Sequence, residues 1–280
     1  MAGVDSFSPG EIALLVQTRG VAKAGAPALT TLVLGVVAGA FIALGAAFST
    51  VVSTRSSLGD GPTRLLAGAA FSLGLILVVV AGAELFTGNN LIVMSWVSRT
   101  ITLSRLLRNW AIVYVGNALG ALSVVVLVYL SDWWVVADHS MGATALSIAA
   151  SKAGLSFDVA FVRGILANAL VCLAVWLATA GRSLTDKVLA IMFPISAFVA
   201  AGFEHSIANM YFIPLGLLLS NQPAVVAAAN LPPDRLGGLD GAGLLTNLTA
   251  ATLGNVVGGA VLVGLVYWFV YLRPRSASKS

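Results

Sequence analysis

Two carboxylates and one imidazole stand inside stretches of the chain that are otherwise apolar. Ala81-Gly82-Ala83-Glu84 is followed by Asn89, and Ala201-Gly202-Phe203-Glu204 by Asn209, with the same glutamate-to-asparagine spacing in both places. Ionisable groups at such depth are rare and usually functional, so Glu84 and Glu204 are candidates for carrying protons. The repetition offers a second reading, in which each glutamate accepts hydrogen bonds from backbone N–H groups freed where a helix stops. Unpaired donors in hydrocarbon are costly, which favours that second role, shared with Asn89, Asn209, Asn117 and Asn255. His205 breaks the symmetry, because Leu85 occupies its place in the first word. Imidazole has an unperturbed pKa of about 6.5 and can exchange a proton with a passing solute near neutrality. No metal site is expected, because the other histidine, His139, lies in a polar stretch and the single cysteine, Cys172, reads as a small buried hydrophobe.

The elements that hold such residues must cross a bilayer. Of the 280 residues 59% are hydrophobic and only 9% are charged, against roughly 25% charged in an ordinary soluble domain. The apolar residues gather around 29–53, 65–83, 110–130, 164–181, 188–203 and 244–272. Most of these stretches meet the roughly 20-residue length needed to span. The chain therefore reads as one integral membrane domain: a segment over 1–28 with a short helix, a six-span pore domain over 29–272, and a tail over 273–280. Ser8-Pro9-Gly10-Glu11 has the pattern of a helix start, with Ser8 as N-cap. No cleavable signal peptide is expected in the first 28 residues, where the apolar run Ile12 to Val16 is short and flanked by Glu11 and Arg19. The net charge of +4 comes from cations scattered singly, so nucleic acid is not an expected partner.

Those cations give an orientation instead. Arg19, Lys23, Arg99, Arg105, Arg108, Arg182, Lys187, Arg273, Arg275 and Lys279 fall on one side of a six-span layout, and Arg55, Arg64, Lys152, Arg163 and Arg235 on the other. The positive-inside rule puts both termini in the cytoplasm. Trp110, Trp133, Trp134 and Trp268 lie near span ends and read as interfacial anchors. Further repeated words join the first pair: Gly116-Asn117-x-x-Gly120 returns as Gly254-Asn255-x-x-Gly258, and Gly35-x-x-Ala38-Gly39-Ala40 is echoed by Gly164-x-x-Ala167-Asn168-Ala169. Three spans in each half make the repeat inverted, with the second and fifth helices broken and the substrate path between the breaks. Lys152 lies in a stretch that reads as loop. Spacing alone leaves Phe71, Leu75, Phe86 and Phe198 as packing.

Gly82-Ala83-Glu84-Leu85-Phe86-Thr87-Gly88-Asn89, Gly164-Ile165-Leu166-Ala167-Asn168, Val171-Cys172-Leu173-Ala174-Val175-Trp176 and Gly202-Phe203-Glu204-His205-Ser206-Ile207-Ala208-Asn209-Met210 together resemble the formate/nitrite transporter family. The resemblance implies an all-α membrane protein with an aquaporin-like protomer, a homopentamer with one pore per protomer, and a prokaryotic plasma (inner) membrane location. It implies that the substrate pore is lined by His205, Thr87, Asn168 and Lys152. It also promotes Phe71, Leu75, Leu85, Phe86, Val171 and Phe198 from packing to apolar constrictions. The permeants it implies are small monovalent anions, closest to formate, with nitrite and hydrosulfide as alternatives.

Desolvating a bare anion in such a constriction is costly. An acid titrating near 3.9 needs only about 4 kcal/mol to be neutral at pH 7. The expectation is therefore that Lys152 attracts the anion, that His205 with Thr87 and Asn168 relays a proton, and that the neutral acid crosses. An intramembrane redox enzyme or a structural subunit is the remote alternative; haem, flavin or metal ligands are not evident, so no cofactor and no enzymatic reaction are expected.

Overall fold

The computed structural model describes residues 6–273. Arg275 and Lys279, used above for orientation, and all but the first residue of the expected tail lie outside them. Helix α1 (Pro9–Gly25) starts where the sequence places it: the Glu11 carboxylate accepts the Ser8 backbone N–H at 2.8 Å and the Ser8 hydroxyl at 2.7 Å. After it come α2 (Ala28–Ser53), α3 (Asp60–Ala81), the short α4 (Phe86–Asn89) and, past a 3-10 turn over Asn90–Ile92, the short α5 (Val93–Val97). Then follow α6 (Leu103–Leu130), α7 (Ser140–Ala153), α8 (Phe157–Ala180), α9 (Leu184–Ala200) and α10 (Ser206–Leu219). The chain closes with α11 (Pro223–Ala229), α12 (Pro233–Gly237) and α13 (Gly241–Val256), which runs through a π-helical segment (Val257–Leu265) into α14 (Val266–Tyr271). Among the described residues there is no strand.

Among the described residues five helical stretches are long and apolar enough to cross a membrane, Ala28–Ser53, Asp60–Ala81, Leu103–Leu130, Phe157–Ala180 and Gly241–Tyr271, and α10 with α11, bent by 111° at their junction, make a sixth if taken as one span. Several start before the apolar run that announced them. Asp60 and Arg64 belong to α3, Arg105, Arg108 and Asn109 to α6, and Asp158 and Arg163 to α8. Polar side chains continue a helix where its end emerges from hydrocarbon. The stretch expected over 188–203 is different, because α9 has 17 residues, about 26 Å at 1.5 Å per residue. Lys152 corrects a local expectation: it sits in the last turn of α7, a helix rich in alanine and serine whose weak hydropathy hid it.

Small residues set the helix spacing, as they do wherever membrane helices approach closely. Helix α2 lies on α6 so tightly that a Cβ on Gly39 would come 2.0 Å from the Asn117 carbonyl oxygen, and one on Gly120 1.9 Å from that of Val36. Helix α8 lies on α13 in the same manner, where a Cβ on Gly254 or Gly258 would come 2.2 Å from the Phe161 or 2.1 Å from the Ile165 carbonyl oxygen. Ile42, Leu75, Leu146, Ile191 and Ile213 fill the core. Leu119, Leu122, Val126 and Leu127 on α6, and Leu166 and Leu177 on α8, face outward. Trp110 corrects the anchoring expectation, since its indole turns inward and donates to the Asn89 carbonyl at 2.9 Å.

Candidate functional site

Two interruptions place the polar residues. Helix α3 stops at Gly82, whose φ of 84° lies in the left-handed region that glycine adopts freely, and Ala83 to Leu85 run without helix into α4. Helix α9 stops before Gly202, with φ of 72°, and the chain re-enters helix at Ser206. Each restart exposes backbone groups that need partners. Asn117 of α6 serves the first: its Oδ1 accepts the Phe86 N–H at 2.9 Å, while its Nδ2 donates to Gly35 O at 2.7 Å and Glu84 O at 2.9 Å. Asn255 of α13 serves the second with matching bonds, accepting from Ser206 N at 2.9 Å and donating to Gly164 O at 2.8 Å and Glu204 O at 2.9 Å.

The carboxylates belong to the same pattern. Asn89 Nδ2 donates to Glu84 Oε2 at 2.6 Å and to Asn109 Oδ1 at 3.0 Å, and Asn209 Nδ2 to Glu204 Oε2 and Asn247 Oδ1, both at 2.7 Å. Lys23 Nζ stands 3.0 Å from Glu84 Oε1, and Lys152 Nζ 3.0 Å from Glu204 Oε1. Asn109 Nδ2 reaches the Lys23 carbonyl at 3.2 Å and Asn247 Nδ2 that of Lys152 at 2.9 Å. The two ammonium groups differ in their further partners. Lys23 also donates to Asn89 Oδ1 at 2.8 Å, whereas among the described residues Asn209 Oδ1 has no hydrogen-bond partner and Lys152 donates to Glu204 alone.

His205 and Thr87 meet where the two interruptions approach each other. The imidazole is the N-cap of α10: its Nδ1 accepts the Ala208 N–H at 3.1 Å. A nitrogen that accepts carries no hydrogen, so in the neutral ring the proton is on Nε2. Nε2 is 2.9 Å from the Thr87 hydroxyl oxygen, and that N–H donates to it, leaving the hydroxyl hydrogen free for a further acceptor. Thr87 is fixed from behind, its carbonyl accepting Asn168 Nδ2 and the Cys172 thiol, each at 3.3 Å. Asn168 Nδ2 also reaches Asn90 Oδ1 at 2.7 Å and the Asn255 carbonyl at 2.6 Å. The asparagine is fully buried and braces the turn that carries Thr87.

Two cavities approach this centre. One, of about 720 Å³, is lined by Lys152, Glu204, His205, Phe71 and Phe198 among others. The other, of about 320 Å³, is lined by Lys23, Glu84, Leu75, Leu85 and Asn89 and floored by α1 through Arg19 and Gly20. They share no lining residue. Thr87 is buried between them: its partner His205 lines the first, and its chain neighbour Gly88 the second. Phe71 and Phe198 meet edge to face at 5.5 Å between ring centres, and Phe198 lies 5.8 Å from the imidazole. Phe86 and Val171 line neither cavity; Phe86 is packed against Trp110 and Tyr114.

The structure thus brings together His205, Thr87 and Asn168, and around the cavity that His205 lines it places Lys152, Glu204, Phe71 and Phe198. Sequence reasoning missed Lys23, Asn109 and Asn247. A signal for the two asparagines was present, because Asn109 precedes Asn117 by the same eight residues that separate Asn247 from Asn255. Among the described residues no group of three or more His, Cys, Asp or Glu side chains converges as a metal site would need.

Long apolar helices around two cavities lined in part by buried polar side chains define a multi-pass membrane protein built for transport. Residues 10–269 match the family model described as formate/nitrite transporter, and the chain belongs to that family. It is similar to the formate channel FocA of Escherichia coli K12, with 42% identity over 97% of this chain and 96% of the relative. The formate channel FocA of Haemophilus influenzae is 36% identical over 93% of each chain. Among solved structures, a pentameric formate channel with formate bound superposes with a TM-score of 0.79 at 38% identity, covering 88% of this chain and 98% of that one. These relatives are channels, and the chain is a transport protein rather than an enzyme.

Proposed function

We propose that the chain is a formate channel, passing formate and its conjugate acid through a pore whose centre is Thr87 and His205. The observation that carries the reading is the 2.9 Å hydrogen bond between these two buried side chains where the two cavities converge. Its support from relatives is the identity to proteins named formate channels. The anion enters beside Lys152, whose ammonium has three donors and spends one on Glu204. Phe71 with Phe198, and Leu75 with Leu85, form the slits, with Phe86 and Val171 behind them. Bare formate is too costly to desolvate there, so it crosses as the acid. Thr87 donates its free hydroxyl hydrogen to the carboxylate, and Asn168 holds Thr87 in place. For a full proton transfer the imidazole must first turn off the Ala208 N–H and take a second proton at Nδ1, after which Nε2 gives up its own through Thr87.

The assembly belongs to the same proposal. The matching bonds of Asn117 and Asn255 support two inverted three-helix repeats with the second and fifth spans broken, in a six-span pore domain over 29–272. Five such protomers form a homopentamer in the plasma membrane, with both termini cytoplasmic. Nitrite and hydrosulfide are the alternative cargoes of the same path.

Flux into proteoliposomes tests the reading. Formate uptake above leak, faster at lower external pH and dominant over nitrite and hydrosulfide, is expected, and His205→Phe removes the pH dependence. Dominance of another anion changes the cargo, and absence of flux for all three overturns the channel.

A further inference from the structure

The larger cavity carries more positive charge than the Lys152–Glu204 pair requires. Arg55, Arg64, Lys152 and Arg163 all line it, against a single carboxylate, that of Glu204. Lys152 is neutralised by Glu204. Arg55 is partly engaged at the rim, 3.6 Å from Asp138, with its Nε donating to Ser140 Oγ at 2.8 Å. Arg64 of α3 and Arg163 of α8 have no carboxylate within salt-bridge distance among the described residues.

Both guanidinium groups approach one short piece of chain from opposite helices. Arg64 Nη1 lies 3.4 Å from the Ala200 carbonyl, and Arg163 Nη1 3.5 Å from that of Gly202. Ala200 is the last residue of α9, and Gly202 immediately precedes Phe203-Glu204-His205. Capping a helix C-terminus accounts for one donor on each side chain, at the long limit of a hydrogen bond. A guanidinium has five donors in a rigid fork that matches a carboxylate. Two like charges brought to the same turn repel one another unless an anion or solvent lies with them.

We propose that Arg64 and Arg163 form an anion-collecting subsite at the mouth of this cavity, which holds a small monocarboxylate by charge-assisted hydrogen bonds before it reaches Lys152. The inference rests on the channel reading and adds to it a first station in the path. Anions concentrated by such a charged recess arrive faster, and the gain falls with ionic strength. The smaller cavity is lined by Arg19, Lys23 and Lys187 against the one carboxylate of Glu84; there Arg19 donates to the Thr179 hydroxyl at 3.1 Å and Lys23 is held by both Glu84 and Asn89.

The test compares wild type with Arg64→Gln, Arg163→Gln and the double variant in vesicles of one orientation, with formate offered to the α7 side. A rise in KM of about fivefold for the double variant, with unchanged maximal flux and a flatter dependence on salt, is expected, and Arg163→Lys should restore part of it. An unchanged KM and salt dependence overturns the subsite, and so does a fall in maximal flux at unchanged KM, which marks a purely structural cap. Protection of the purified chain by formate in low-salt thermal unfolding is read in parallel. If wild type shows no flux, the channel reading fails on its own; loss of this protection in the double variant then supports the subsite, and equal protection, or none in wild type, overturns it.

Discussion

Lys23 and Lys152 occupy matching places in two buried networks, each ammonium 3.0 Å from the Oε1 of a glutamate whose other oxygen accepts from an asparagine five residues on. One lysine comes from an amphipathic helix ahead of the first span and the other from a short helix between the third and fourth. The glutamates therefore serve three tasks together: they neutralise a lysine at each cavity, fix the asparagine of the restarted helix, and hold the interrupted chain in place.

The two pairs differ in burial, and so in what their loss should cost. Lys152 and Glu204 side chains are 16% and 2% exposed, and Lys23 and Glu84 34% and 13%. Removing one partner of a buried pair typically costs about 3–5 kcal/mol, and less where water reaches the charge left behind. Lys152→Met is therefore expected to lower the thermal unfolding midpoint in detergent more than Lys23→Met. Adding Glu204→Gln to Lys152→Met should recover part of the loss. Equal midpoints for the two lysine variants would show that burial does not set the cost.

Asn255→Leu should be more damaging than the loss of one side chain suggests. It leaves the Ser206 N–H and the Gly164 and Glu204 carbonyls without the partner they now have. Each orphaned buried group costs about 1–3 kcal/mol. A severe drop in the yield of folded protein is expected, and Asn117→Leu should behave alike because its bonds match. Size-exclusion profiles of both variants check this.

How far the sequence reaches can be seen in the same residues. Glu84, Glu204 and the asparagines at positions 89, 117, 209 and 255 were legible because a polar residue in an apolar stretch needs a partner, but the partners were not: the backbone N–H groups expected on the glutamates go to Asn117 and Asn255, and the carboxylates take the side chains of Asn89, Asn209 and the two lysines instead. Lys23 was not, since a cation beside the first span serves membrane orientation equally well and only the folding back of α1 brings it to Glu84. Lys152 was assigned to loop because α7 is too polar to read as a span and too short to show a period. The glycine words announced close contact without saying which helices meet.

Helix α1 should loosen in acid at its first turn. The Glu11 carboxyl is held below its ordinary range by the Ser8 hydroxyl and then by the Ser8 backbone N–H. A depressed folded-state value means the contribution is complete above the ordinary carboxylate range of about 4.3 and is lost as pH falls through the depressed one. Amide exchange over Ile12 to Val16 should therefore accelerate in Glu11→Gln at neutral pH, and in wild type only in strong acid.

Three glycine substitutions separate contact from conformation. Gly120→Ala puts a methyl 1.9 Å from the Val36 carbonyl oxygen and must force α2 and α6 apart. Gly82→Ala meets nothing within 4 Å but sits at φ of 84°, which costs a non-glycine residue about 1–2 kcal/mol. Gly88→Ala, with only Val175 Cγ2 at 3.6 Å, should be tolerated. The expected order of unfolding midpoints is Gly88→Ala highest and Gly120→Ala lowest.

Thr87 offers the sharpest test of the centre, because its two substitutions separate shape from hydrogen bonding. Nδ1 of His205 is committed to Ala208, so Nε2–H has the Thr87 oxygen as its acceptor and the Thr87 hydrogen is left over, for the permeant in the proposed channel. Thr87→Ser keeps that chain of donors and loses a methyl, and Thr87→Val keeps the shape and loses both the acceptor for Nε2–H and the donor for the carboxylate. Leaving a buried N–H unpaired costs about 1–3 kcal/mol, and losing a bond to a charged group about 1.5–3 kcal/mol. Thr87→Val should therefore reduce formate flux at least tenfold at neutral pH while Thr87→Ser stays within a few-fold of wild type. Lowering the external pH should recover part of the flux in Thr87→Val, because formic acid formed in bulk water no longer needs the threonine to receive it. Equal flux in the two variants at both pH values would mean that the hydroxyl takes no part in passage and that the histidine is held at this depth for α10 alone.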